Sequence, residues 1–97
     1  MTIVTLTITE TRPNLNVLFY QVPRDFITYI QRYNDIRHRE VYGWTTSGDL
    51  LSRSSISTFN TQGDLDTFIN DPEVIKHQTA NDAYNNTNGI VKNRTVS

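Results

Sequence analysis

Thr5, Thr7 and Thr9 alternate with Val4, Leu6 and Ile8. A period of two in mostly β-branched residues specifies an extended strand with one apolar face and one hydroxyl face. Such a strand must bury its apolar side, while its threonine side can meet water, a helix or a partner sheet. Arg12-Pro13-Asn14 ends it, because proline removes a ladder donor. The short apolar run in Asn16-Val17-Leu18-Phe19-Tyr20 fits either an extended piece or a helix edge.

The period then changes. Phe26, Tyr29, Ile30 and Tyr33 stand at i, i+3, i+4 and i+7, one stripe of a helix over about residues 23–34. Pro23 suits its first turn and Asp25 the positive end of its dipole. Glu40 to Thr46 returns to strand, with Tyr42 and Trp44 on one face. Ser47-Gly48-Asp49 turns the chain into a strand over Leu50–Phe59. Leu50 and Leu51 cannot both face one core in a regular strand, so a bulge or burial on both faces is expected there.

Thr61 and Asp64 form a capping pair, and Leu65, Phe68 and Ile69 make an apolar stripe behind them. Asp71-Pro72 restarts the helix as N-cap and first residue, and Asn88-Gly89 stops it. The second part has a weak apolar face and is expected to pack on one side only. Ile90 to Val96 makes a last strand.

The resulting order is that of a ferredoxin-like α+β domain, βαββαβ. It predicts a four-stranded antiparallel sheet with helices on one face, formed by residues 1–97 as a single domain. Apolar or aromatic residues on both sheet faces, in a chain too short to cover both, predict a homodimer.

Several activities are disfavoured. The chain has no cysteine, so disulfides and thiolate metal sites are excluded. Net charge is −1 and the pI about 6.0, without the basic excess that nucleic acid needs. Arg37-His38-Arg39 is bracketed by Asp35 and Glu40 and reads as a solvated segment. The strand order is shared with RNA-recognition modules, yet the first strand carries no stacking aromatics and Leu51–Phe59 lacks the basic-Gly-aromatic pattern. No stretch has the apolar length of a membrane span and no leader pattern is visible, so a cytoplasmic location is expected. Two sequons, at Asn85 and Asn93, are discounted on the same ground.

The chemistry-bearing residues are sparse. Asp64/Asp66 and Asp71/Glu73 sit at helix starts, where capping explains them. Ser52, Ser54, Ser55 and Ser57 lack a nucleophile elbow and read as the polar face of a strand. The four glycines are isolated, so no phosphate loop forms. His38 and His77 share no metal-ligand spacing. His77 reads as an exposed helix residue without acid/base work. No catalytic, cofactor-binding or metal residue is assigned, and no cofactor is expected. Tyr42, Trp44 and His77 are the candidates for a ligand cleft.

The strand leading through Phe59-x-x-x-Gly63-Asp64 and Phe68-x-x-Asp71-Pro72 into helix resembles dimeric α/β-barrel proteins, including antibiotic-biosynthesis-monooxygenase-like ones. That resemblance implies a homodimer. It also implies a site with a polar residue on the first strand, an aromatic, and a histidine on a helix. The first strand is read here as offering only threonines. Thr11-Arg12-Pro13, Phe19-Tyr20, Ser47-Gly48-Asp49-Leu50 and Tyr84…Asn88-Gly89-Ile90 are similar to short uncharacterised proteins of tailed phages of marine cyanobacteria. That implies a viral accessory protein and no enzyme activity. Two functions follow: a non-enzymatic interaction or structural protein, or a small-molecule binder or cofactor-free monooxygenase-like enzyme. A cavity lined by Trp44, Tyr42 and a polar group would favour the second.

Overall fold

The computed structural model describes residues 3–36, 38–40 and 44–97, with side chains described outside 32–43. In chain order its elements are β1 (Val4–Thr11), α1 (Arg24–Ile36), β2 (His38–Glu40), β3 (Trp44–Thr46), β4 (Ser52–Phe59), α2 (Gln62–Ile69), α3 (Pro72–Asn88) and β5 (Val91–Val96). The sheet order is β2-β4-β1-β5, with β3 also paired to β4, and every pairing is antiparallel. Of the expected strand over Glu40–Thr46, Glu40 ends β2 and Trp44–Thr46 form β3, both along one edge of β4, and residues 41–43 lie outside the described residues. This is the predicted ferredoxin-like α+β architecture.

Alternation in β1 sorts the whole molecule. Val4 and Leu6 are buried together with Phe59 of β4, Ile30 of α1, Leu65 and Phe68 of α2, and Val74 of α3. All three helices therefore contribute to one core on one sheet face. The opposite face carries Thr5, Thr7, Thr9 and Thr11 beside Ser52, Ser54, Ile56 and Thr58. Hydroxyls meet across the strands there, as in Thr9 Oγ1 to Ser54 Oγ at 3.2 Å. No element of this chain packs over that face among the described residues, and Ile56 remains 53% exposed on it.

Local chemistry sets the helix ends. Thr61 accepts from the Asp64 amide at the start of α2, and Asp71 from the Glu73 amide at the start of α3. Gly89 closes α3 in the left-handed region with φ 73°, a conformation that costs a residue with a Cβ. Tyr29 ties α1 to this frame, its hydroxyl donating to Asp71 Oδ2 at 2.7 Å.

Three expectations are corrected. Leu50 is in the turn with φ 64°, so the Leu50-Leu51 pair needs neither a bulge nor two-sided burial. Ser55 and Ser57 are buried on the helix-facing side, and only Ser52 and Ser54 share the outer face. The segment over residues 16–20, expected as a short buried extended piece or a helix edge, joins no helix, and its Leu18 is 66% exposed. Tyr33 lies outside the described side chains, while Phe26 and Tyr29 pack half-buried against the core and Ile30 is 2% exposed. Ile30→Ala should therefore destabilise the fold by about 2–4 kcal/mol, measured by denaturant unfolding. A midpoint equal to that of the wild type would show that α1 is not anchored through this residue.

Candidate functional site

The alternation that turns Val4, Leu6 and Ile8 toward the helices carries on to Glu10, which is fully buried. A carboxylate removed from water needs its oxygens filled by donors. Arg53 stands directly opposite on β4 and donates from Nε to Oε1 at 2.8 Å, with Nη2 2.7 Å away. Asn85 and Asn81 of α3, four residues apart on one helix face, donate to Oε2 at 2.8 and 3.2 Å. The weakly apolar face of α3 is thus a buried amide face. Lys92 of β5 extends the network, donating to Gln78 Oε1 at 2.8 Å and Asn81 Oδ1 at 3.1 Å and pairing with Asp82.

Arg53 carries this charge pair to the aromatic residues. Its guanidinium lies 4.0 Å from the Trp44 ring centre and 4.7 Å from that of Phe19, with Arg12 also 4.7 Å from Phe19. Cations on ring faces are attracted by the ring quadrupole. Three carbonyls of the irregular segment each take a side-chain donor: Val17 from Arg12, Leu18 from the Tyr84 hydroxyl, and Tyr20 from Arg53. The segment therefore lies strapped across the sheet's end.

Between strap, sheet and helices is a cavity of about 50 Å³. Every described layer contributes: Leu6 and Ile8, Ser55 and Ser57, Trp44, Val22, Phe26 and Ile30, Phe68, His77 and Gln78. Trp44 and His77 thus face one space. Tyr42 lies outside the described residues, as does the side chain of His38. His77 is not the exposed helix residue expected from its isolation in sequence. It is half-buried, stacked on Phe26 with ring centres 3.9 Å apart and planes at 12°, and met edge-on by Tyr20 at 5.6 Å. Tyr84 does not bond to it; Tyr20 contacts both rings and the Tyr84 hydroxyl is used on Leu18. Outside the Phe26–His77 pair is an open cleft of about 400 Å³, with Pro23, Asp25, Tyr29, Glu73 and Lys76 around it.

The reading of the first strand as offering only threonines overlooked Glu10. The parity of Val4, Leu6 and Ile8 already places it on the core face, and an acidic residue continuing an apolar stripe was the available clue. Arg53, Asn81 and Asn85 became legible only through the pairing register and the α3 packing. No group of His, Asp and Glu among the described residues has the arrangement of a metal site. No described helix is long and apolar enough to cross a membrane.

No protein-family model matches the chain, and no curated protein sequence does so. Solved structures share its fold at low identity. SnoaB, a cofactor-independent oxygenase from Streptomyces nogalater, aligns with 98% of this chain and 90% of its own, at TM-score 0.55 and 15% identity. A dimeric ferredoxin-like protein from an uncultured marine organism aligns over 98% and 94%, at TM-score 0.55 and 8% identity. The hydroxynitrile lyase of Passiflora edulis aligns over 97% and 93%, at TM-score 0.52 and 17% identity. Identities this low establish the fold that these chains have in common.

Burial pushes the His77 imidazole below its ordinary value of 6.5; Lys92 acts in the same direction and Glu10 against it. A histidine kept neutral by the fold takes up its proton more readily when unfolded, so its contribution is complete above pH 6.5 and is lost as pH falls through the folded value. The melting temperature should drop as pH falls below about 6.5, and drop less in His77→Phe. Parallel profiles for the two proteins would contradict the buried, neutral imidazole.

Proposed function

We propose that this protein binds a small, uncharged and largely apolar molecule in the cavity between sheet and helices, and that it does so as a homodimer. The space between sheet and helices that Trp44 and His77 both line is the observation that carries the reading. Its wall combines aliphatic and aromatic groups with a few polar ones, the usual composition of a small-molecule site. A neutral imidazole offers one hydrogen-bonding point to orient a ligand. The cavity, with Trp44 and a polar group in its wall, favours ligand binding over a purely structural role.

The dimer rests on the uncovered outer sheet face. Trp44, expected with Tyr42 as the cue to a covered outer face, does not belong to that face, and Tyr42 lies outside the described residues. The support comes instead from a sheet face of threonine and serine with exposed Ile56 and Val91, lacking a cover from its own chain among the described residues. A second copy of the same sheet is self-complementary to it. One protein of the same fold is described as dimeric.

A catalytic extension has one specific observation in its favour. His77, held neutral beside the cavity, is a proton acceptor for a bound molecule with an acidic hydrogen. The oxygenase and the lyase of this fold are named as enzymes without sharing enough sequence to transfer their chemistry.

The test is a methyl-resolved NMR titration with small neutral solutes such as acetonitrile, acetone and 2-propanol. Saturable shifts should cluster at Leu6, Ile8 and Ile30 and at the Trp44 indole. Translational diffusion in the same sample should give about twice the 11.2 kDa chain mass. Shifts scattered over the surface would remove the cavity as the ligand site, and the diffusion of a single chain would remove the dimer.

A further inference from the structure

Gln78 of α3 stands between two spaces. On one side it lines the cavity together with Leu6, Trp44 and His77. On the other it borders an open cleft of about 370 Å³ with Ile75, Asp82 and Lys92. Its amide has two chemically different ends, a C=O that only accepts and an NH2 that only donates. Which end meets which space decides what the cavity can recognise.

Lys92 settles that orientation. An ammonium has three N–H bonds and no acceptor. Those of Lys92 go to Gln78 Oε1 at 2.8 Å, to Asn81 Oδ1 at 3.1 Å and to the Asp82 carboxylate. Asn81 is fixed in the same sense, because its Nδ2 is used on Glu10 Oε2 and only its oxygen is left for Lys92. Turning the Gln78 amide over would set its NH2 against the ammonium. The carbonyl end is therefore kept on the Lys92 side, and Lys92 lines the cleft and not the cavity. The NH2 end is the one left for the cavity. Gln78 is half-buried, and among the described residues no acceptor is bonded to its Nε2. The hydroxyls of Ser55 and Ser57 in the same wall can rotate to donate or accept, and a neutral imidazole does both. Gln78, by contrast, is held as a donor.

We infer that Gln78 selects the ligand of the cavity, donating from Nε2 to a carbonyl oxygen, so that the ligand class is a small neutral carbonyl compound. This rests on the proposed ligand-binding role of the cavity and adds the chemistry that it recognises. The cavity, at about 50 Å³, has room for only a few heavy atoms. A carbonyl with short aliphatic groups fits it, the oxygen on Gln78 and the alkyl groups against Leu6, Ile8 and Ile30.

The probes are acetone and isobutene, which share one shape and differ by an oxygen in place of a CH2. Both are titrated by methyl-resolved NMR into the wild type, Gln78→Met and Gln78→Glu. In the wild type the Gln78 side-chain amide protons should shift with acetone and stay in place with isobutene. Gln78→Met removes the donor at nearly constant size and should weaken acetone by about threefold to tenfold, the effect of one neutral hydrogen bond, while isobutene binds as well or better. Gln78→Glu keeps an oxygen for Lys92 and replaces the NH2 by a second acceptor, so it should lose acetone at least as strongly. It serves alone if Gln78→Met folds poorly. Shifts still clustered at Leu6, Ile8 and Ile30, with acetone affinity unchanged in the variants or with both solutes weakened equally, would overturn the role of Gln78 and leave the cavity as a binding site. Absence of clustered shifts with either solute in the wild type would remove the cavity reading and the role of Gln78 together.

Discussion

Glu10 is an acidic residue in the position of a core aliphatic, and the fold can close over it only if its carboxylate is matched. Desolvating an ion costs several kcal/mol, and a buried pair recovers this only with good geometry and filled acceptor sites. The chain supplies both. Arg53 comes from the neighbouring strand by register, and Asn81 and Asn85 come from the helix above. The pair therefore fixes α3 on the sheet as well as β4 against β1. Its contribution is positional: an apolar pair would fill the space, but would not dictate which face of α3 turns inward.

From that anchor the rest of the site follows outward. The guanidinium that satisfies Glu10 also lies over Trp44 and Phe19 and binds the Tyr20 carbonyl. Tyr20 then stands edge-on to His77, and Val22 completes the cavity wall. A single buried charge thus aligns a strand edge, a loop without regular structure and a helix around one space.

Much of the architecture is legible in the sequence because it is governed by local rules. The alternation of Val4, Leu6 and Ile8 with threonines gives β1 and its two faces. Asp71-Pro72 and Asn88-Gly89 give the limits of α3, and the Phe26/Ile30 spacing gives the inner side of α1. The place of Leu50 is not legible in this way, because its left-handed backbone, normally disfavoured for a residue with a Cβ, is a property of the turn and not of its composition. The site was legible in part. Trp44 and His77 stand out as rare residue types, but their meeting depends on tertiary packing across α3 and β3. His77 was read as exposed because nothing within a turn of it in sequence explains its burial; the explanation is Phe26, 51 positions earlier. Glu10 follows the parity of Val4, Leu6 and Ile8, which places it inside, while the threonines mark the opposite face.

The dependence of the site on the Glu10–Arg53 pair is tested most directly by a double-mutant cycle on global stability, using Glu10→Met, Arg53→Met and the double variant. Trp44, the chain's sole tryptophan, reports unfolding from the cavity wall itself. Each single substitution leaves a buried charge without its partner and should cost about 3–5 kcal/mol. The double variant should cost no more than the larger single, giving a coupling of several kcal/mol. Losses that simply add would contradict the account, because they would mean that the two residues stabilise the protein independently and do not organise the site as a pair.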